Sequence, residues 1–306
     1  MNRVKSNRIK CILIISVLFL VQTEVFAQGC SDAGFCTIHS LKPEASDSSK
    51  LSNNSFKVGT AYGMAQYNVS VITPYMEYTR SFGSVSLSAK LLMGVRSGDL
   101  STTSGLSDII LTSTWTINPH WLLAGGIKLP FNKADETANG LPLPMAYQTS
   151  LGTTDMIVGA TWKRNRLAIS TAWQQALYQN SNQFLADDYP EGSLADPYLS
   201  TNGYHRSGDV LMRVSHYTQL SKKWMLSYSM LPIYHLKNDS YLDKNGLRQS
   251  IEKSRGLTLN LNTFVQYQLS EVSFIEFNVG APVLARQNRP DGLNQFAVAL
   301  EYGVKF

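Results

Sequence analysis

Alternation of apolar with small or polar residues is the dominant pattern of this chain, and it is clearest at the end. Over residues 296–306 every even-numbered position is large and apolar, and every odd-numbered position is small or charged. Because side chains of a strand point alternately to its two faces, this segment predicts a strand with one apolar and one polar face. A strand that turns its apolar face to lipid and its polar face to a lumen has this division.

Eleven further segments repeat the alternation, so twelve strands are predicted, with ten or fourteen as alternatives. After residue 27 no apolar run approaches the roughly 20 residues that a spanning helix needs. The predicted strands cover approximately residues 56–67, 70–82, 85–96, 108–117, 121–131, 154–162, 167–178, 209–220, 224–236, 257–268, 274–283 and 296–306.

The predicted connections alternate in length. Outer-membrane barrels have short periplasmic turns and longer outside loops, so an even strand count places both chain ends in the periplasm. One outside connection, near Asn68, breaks the rule by being short. The predicted fold is therefore all-β, a transmembrane antiparallel β-barrel of about twelve strands. The short connections are 82–85, 118–120, 163–166, 221–223 and 270–272, and the long polar ones are 97–107, 132–153, 180–208, 238–255 and 284–293.

Aromatic residues cluster beside the short turns. Amphipathic rings are favoured at the boundary between lipid and water, so the cluster predicts an interfacial belt at the periplasmic end. The alternative, ordinary core aromatics, does not explain clustering at one end. The belt residues are Trp115, Trp121, Trp162, Trp224, Tyr267 and Phe306.

The N-terminus has the features of a secretory signal peptide. Four basic residues precede an apolar run over 11–21, and Ala27 ends a small-residue cleavage site. A lipoprotein signal ending at Cys30 is the alternative. We predict a signal peptide over 1–27, a cysteine-containing periplasmic lead or short plug over 28–55, and the barrel over 56–306.

The charge of the mature chain gives little support for nucleic-acid binding. The full sequence has a net charge of +5, but the signal peptide contains four of its 27 Lys and Arg residues and one of its 22 Asp and Glu residues. The mature chain is therefore near +2.

Two cysteines remain after cleavage, Cys30 and Cys36. In an exported protein this spacing predicts a small disulfide loop. A second interpretation adds His39 as a third ligand for a soft metal such as copper or zinc, although the spacing is not a standard metal motif.

The alternation assigns nine charged residues of both signs to the inner face of the barrel. In the hairpin closed by Phe82 and Val85, Glu77 and Lys90 are predicted to stand opposite each other. Asp108 and Lys128 are nearly opposed in the next hairpin. These charges form either structural ion pairs that brace the lumen or a constriction that selects solutes. The nine are Glu77, Lys90, Arg96, Asp108, Lys128, Asp155, Arg213, Glu276 and Glu301.

Several segments resemble known outer-membrane proteins. The ending with Tyr302 and Phe306 looks like the C-terminal signal read by the barrel-assembly machinery. Residues 105–111 followed by Trp115, together with 125–130 and 151–159, resemble strands of barrels assigned to aromatic-compound degradation pathways. That family is similar to the transport barrels for fatty acids and toluene, but this chain lacks their long plug domain. The resemblance implies passive passage of small solutes, including hydrophobic or aromatic ones.

A rival hypothesis is a phospholipase-like hydrolase. His205 and Ser207 share a strand face, and a base beside a hydroxyl is the minimum for nucleophilic catalysis. The motif of that family continues Asn-Gly, whereas this chain has Gly208-Asp209. The predicted register also turns both residues to the lumen, whereas the reaction needs them at the lipid face.

A third hypothesis is a structural or adhesive barrel whose loop 180–208 binds a partner through its tyrosines, with Tyr178 beside it. The three tyrosines in the loop are Tyr189, Tyr198 and Tyr204. Among the three hypotheses we favour a channel in the outer membrane of a Gram-negative bacterium. It is expected to be no enzyme and to need no cofactor or metal. Its expected partners are lipid, the assembly machinery and a small solute.

Overall fold

Twelve antiparallel strands close into a barrel, as the sequence predicts. The computed structural model describes residues 53–291 and 295–306. Each strand pairs with the next along the chain, and the last closes on the first. The strands are β1 Asn54–Met64, β2 Ser70–Phe82, β3 Val85–Ser97, β4 Thr102–Thr116, β5 Trp121–Pro130, β6 Thr154–Arg164, β7 Leu167–Tyr178, β8 Asp209–Gln219, β9 Trp224–His235, β10 Gly256–Gln268, β11 Ser273–Leu284 and β12 Phe296–Lys305.

The predicted bounds hold within about three residues for most strands, and the exception is the start of β4. The prediction of a long loop over 97–107 is wrong, because a tight connection joins Ser97 to Thr102. The amide of Gly98 donates to the carbonyl of Ser101 over 3.1 Å, which closes this turn. The first four residues of β4, 102–105, are threonine, serine and glycine. This part of the strand therefore carries no apolar alternation and resembles a loop in sequence.

The exterior and the interior of the barrel differ in chemistry along every strand. On β12, Leu300 and Tyr302 are exposed at 54% and 43%, whereas Glu301 between them is 3% exposed. The same alternation places large apolar side chains outside all round the wall, and most charged side chains of the strands lie inside. A closed sheet with an apolar exterior and a polar interior is the arrangement of an outer-membrane barrel.

The two ends of the barrel also differ. At one end lie the five short turns and both ends of the described barrel sheet, Asn54 and Lys305. Gly83, with φ of 62°, and Asn165, with φ of 54°, adopt the left-handed conformation in two of these turns. At this end the predicted aromatic residues lie together: Trp121 is paired with Trp162, and the rings of Trp224 and Tyr267 are 4.7 Å apart.

The opposite end carries the four long connections, over residues 131–153, 179–208, 236–255 and 285–295. Two of them contain a short hairpin, formed by Thr137–Ala138 with Leu141–Pro142 and by Ser240–Leu242 with Arg248–Ser250. No helix among the described residues has the length and apolar character needed to cross a bilayer.

Candidate functional site: a lidded lumen

Charged side chains of alternating sign form a row across the inner wall. The strand register brings Lys57 opposite Glu77 and Glu77 opposite Lys90. On the far side of β4, Lys128 stands opposite Asp155. All five side chains are at most 6% exposed. The alternation of strand faces therefore concentrates the charges in the lumen.

The first group of the row lies on β12, β1, β2 and β3. Lys57 Nζ is 3.3 Å from Glu301 Oε1, and the Tyr75 hydroxyl donates to Glu301 Oε2 over 2.9 Å. Lys90 Nζ is 3.8 Å from Glu77 Oε2 and 3.8 Å from the centre of the Tyr75 ring. Tyr75 thus joins the two ion pairs into one cluster. The sequence predicts the pair of Glu77 and Lys90 but not the part that Tyr75 plays.

The second group lies on β4, β5 and β6. Lys128 Nζ is 3.3 Å from Asp155 Oδ2 and 3.8 Å from Asp108 Oδ1. It also donates to the Thr153 hydroxyl over 3.1 Å, and Gln174 donates to Asp155 over 2.6 Å. One lysine therefore balances two carboxylates, which fits the predicted near-opposition of Asp108 and Lys128.

The other three predicted lumen residues are Arg96, Arg213 and Glu276. Arg96 is half-buried opposite Thr103, and Arg213 is 1% exposed between Ser170 and the β9 strand. Glu276 stands opposite Glu301 on one side and Gln266 on the other. All three therefore lie on the inner face.

An apolar cluster, which the sequence reading missed, occupies the same lumen. Its members come from seven consecutive strands, β3 to β9, and each is at most 9% exposed. The pattern of inward charges does not reveal them, because all seven side chains are apolar. The cluster comprises Leu92, Ile110, Ala124, Ile157, Ala172, Leu211 and Leu231, with Tyr75 and Ile233 packed against it.

Two long loops cross the mouth of the barrel and are here called the lid, residues 131–153 and 179–208. The β7–β8 and β1–β2 connections are six strands apart in a ring of twelve, so they stand at opposite sides of the mouth. Nevertheless the Tyr67 hydroxyl donates to the carbonyl of Pro197 over 2.6 Å, and the Tyr67 and Tyr198 rings are 4.5 Å apart. The loop can make these contacts only by spanning the mouth.

The other part of the lid descends against the inner wall. A Cβ added to Gly94 would lie 2.9 Å from the carbonyl oxygen of Thr149, and one added to Gly98 would overlap the Tyr147 hydroxyl. The Ser150 hydroxyl donates to Asp108 over 2.8 Å. Glycine near the end of β3 and in the turn that follows thus permits the close approach of the lid. The lumen carboxylate Asp108 binds the lid.

An apolar core and one asparagine hold the lid together. Tyr147, Phe184 and Tyr198 pack with Val69 and Val71 of the barrel rim. The Asn182 amide donates to the carbonyls of Ala134 and Leu143, and its oxygen accepts from the Phe184 amide and the Thr201 hydroxyl. Of the four tyrosines of the adhesive hypothesis, Tyr189 and Tyr198 pack within the lid and Tyr204 is fully buried, so only Tyr178 is exposed, at 72%.

Six buried ionisable residues form a separate charged cluster at the end of the barrel that carries the long loops. This group is here called the rim cluster. His235 Nδ1 is 2.7 Å from Asp209 Oδ1, and His235 Nε2 is 2.8 Å from Asp239 Oδ1. Sequence reasoning missed the cluster because its members come from two strand ends and three separate loops. The cluster consists of Arg206, Asp209, His235, Asp239, Arg286 and Asp291.

The hydrolase candidates His205 and Ser207 are not assembled into a catalytic pair. The backbone of His205 pairs with Ser240, and its side chain is exposed. The Ser207 hydroxyl accepts from the Lys237 amide over 3.1 Å. Within the described part of the chain, no hydrogen bond joins the two side chains.

The candidate disulfide Cys30–Cys36, the alternative ligand His39 and the predicted signal peptide lie outside the described residues. Over 53–291 and 295–306, no group of three or more His, Cys, Asp and Glu side chains could hold a metal ion.

Comparison with known proteins gives the following. Neither a protein-family model nor a curated protein matches the chain. Among solved structures, the CymD monoaromatic hydrocarbon channel is 9% identical with a TM-score of 0.47, over 92% of this chain and 94% of that one. The translocator domain of the autotransporter NalP from Neisseria meningitidis is 12% identical with a TM-score of 0.47, over 85% and 90%. The Ralstonia pickettii toluene transporter TbuX is 11% identical with a TM-score of 0.43, over 83% and 90%.

Proposed function

We propose that the chain is a lidded outer-membrane channel for the passive passage of small solutes. The observation that carries the proposal is the row of opposite charges on the inner wall beneath a lid. Buried ion pairs add little stability compared with apolar packing of the same volume. Rings of charged side chains are, however, typical of constrictions that select solutes. The proposal requires no nucleophile, cofactor or resident metal.

The composition of the lumen supports a solute class. The charged row contains residues of both signs in contact, so it does not favour solutes of one sign. The apolar cluster beside it, which includes Ile157 and Leu211, favours an apolar body. The proposed solutes are therefore small, uncharged and partly apolar, including aromatic ones.

The orientation in the membrane is part of the proposal. Long loops of such barrels face outward and short turns face the periplasm. The lid is thus proposed to face the exterior, with both ends of the barrel in the periplasm. The apolar exterior would contact lipid, and Tyr302 and Phe306 would be read by the barrel-assembly machinery during insertion.

Ion selectivity in planar bilayers tests the channel. The wild type is expected to conduct. Glu77→Ala removes a negative charge from the lumen and is expected to shift selectivity toward anions, whereas Lys90→Ala is expected to shift it toward cations, because lumen charges attract counter-ions.

Arg80→Ala is the matched control, since Arg80 lies on the same strand as Glu77 but on its exposed outer face. It is expected to keep the wild-type selectivity. Absence of conductance and of solute flux in the wild type and in both lumen variants would contradict the proposal.

A further inference from the structure

His235 lies between two carboxylates with both ring nitrogens engaged. It ends β9 directly opposite Asp209, the first residue of β8, while Asp239 comes from the loop that follows. The three side chains are at most 2% exposed. This arrangement is therefore a buried trio that combines two strand ends with a long loop.

The chemistry of the trio requires an additional proton. A neutral imidazole has one N–H group, and an ionised carboxylate can only accept hydrogen bonds. The two contacts of 2.7 and 2.8 Å can both be hydrogen bonds only if the trio holds one proton beyond a neutral ring and two carboxylates. With that proton the trio has a net charge of −1.

Charged groups from the neighbouring loops balance the negative charge of the trio. Arg206 Nη2 is 2.5 Å from Asp209, and Arg286 Nη1 is 3.5 Å from Asp239. Asp291 contacts both arginines, at 3.7 and 2.5 Å. The six groups together are neutral only while the trio keeps its proton. Burial raises the pKa of Tyr204 well above its usual value, so this phenol, which faces Asp239 and Asp291, stays neutral.

The trio is joined to the stem of the lid. Residues 206–208, here called the lid stem, are the last lid residues before β8. The Ser207 amide donates to Asp239 Oδ1 over 2.9 Å. Asp239 therefore binds the lid stem and His235 with the same oxygen atom. Any movement of Asp239 away from His235 therefore also disturbs the hydrogen bond from the Ser207 amide that holds the end of the lid.

We propose that the Asp209–His235–Asp239 trio is a proton-dependent latch that holds the lid closed. Loss of the proton leaves a ring nitrogen lone pair facing a carboxylate, so one hydrogen bond is replaced by repulsion within a buried site. The lid stem is then released. Rising pH opens the mouth, and lower pH restores the latch. As a gate, the latch rests on the proposed channel function.

Conductance as a function of pH tests the latch. The wild type is expected to conduct weakly at about pH 6 and severalfold more at about pH 10, because an imidazolium loses its proton as the pH rises. In His235→Gln both N–H donors lie on one nitrogen, and the other end of the amide is a carbonyl oxygen that cannot donate to the second carboxylate, so high conductance is expected at both pH values. His205→Gln changes an exposed histidine at the same end and is expected to keep the wild-type transition.

Asp239→Asn keeps the hydrogen-bond acceptor but removes one of the charges that hold the proton. The rise of its conductance with pH is expected about one pH unit or more below that of the wild type. This variant also tests the latch if His235→Gln does not fold. A wild-type conductance that is unchanged between about pH 6 and 10, or a transition that His205→Gln abolishes as His235→Gln does, overturns the proposal.

Cleavage of the detergent-solubilised protein separates the latch from the channel. At a constant pH of about 7, chymotrypsin is expected to cleave the lid after Tyr189 and Tyr198 faster in His235→Gln than in the wild type. Equal cleavage rates count against the latch. If no variant conducts at any pH but cleavage differs, the latch stands and the channel function fails.

Discussion

At the scale of single residues, the lumen is organised by pairs that strand register brings together. Glu77 and Lys90 could be paired from the sequence because a tight hairpin fixes which residues are opposite. The rim cluster could not, since loops of different lengths bring Arg206, Asp239 and Arg286 to one place. The alternation of strand faces offered a partial signal. Asp209 at the start of β8 and His235 at the end of β9 both occupy inward-facing positions and stand opposite each other.

The Glu77–Lys90 pair gives a prediction about stability. Glu77→Met or Lys90→Met alone removes one partner of a buried pair and is expected to lower the free energy of unfolding by up to about 3–5 kcal/mol. The double variant is expected to cost less than the two single costs combined, because no partner charge remains. Urea unfolding in lipid vesicles measures all three, and strictly additive losses would show that the two residues do not interact.

At the scale of elements, strands were predictable from the sequence and loop conformation was not. Alternation fixed the bounds of β2 and β7 because lipid on one side and a polar lumen on the other impose a period of two. The early part of β4 carries no such contrast and was assigned to a loop. The lid depends on contacts such as Tyr67 with Pro197, which are 130 residues apart and leave no local pattern.

Asn182 gives a prediction for the lid as an element. Asn182→Ala removes a buried amide and leaves the carbonyls of Ala134 and Leu143 without this donor, which is expected to cost about 1–3 kcal/mol of local stability. Faster chymotryptic cleavage of the lid and a larger conductance are expected. Asn245→Ala, at the exposed tip of the 240–250 hairpin, is the control and is expected to behave like the wild type. Unchanged cleavage in Asn182→Ala would refute this role.

At the scale of the whole molecule, the two faces of the sheet are expected to tolerate charge differently. Leu300→Arg places a cation on the lipid-facing side and is expected to cost about 2–4 kcal/mol of unfolding free energy in vesicles. Ala299→Arg, one residue earlier, places it in the lumen and is expected to cost less. In a water-soluble barrel Leu300 would be an ordinary exposed position, so a negligible cost for Leu300→Arg would contradict the membrane assignment.

The closure of β1 on β12, from Ser55 opposite Lys305 to Met64 opposite Phe296, has a consequence for biogenesis. The strand that seals the cylinder, β12, is synthesised after the other eleven strands of the barrel. A nascent polypeptide that stops before Phe296 has two edge strands with unpaired backbone N–H and C=O groups. These groups find no hydrogen-bond partner in the hydrocarbon of the membrane. Synthesis through β12 is thus a precondition for a lasting place in the bilayer.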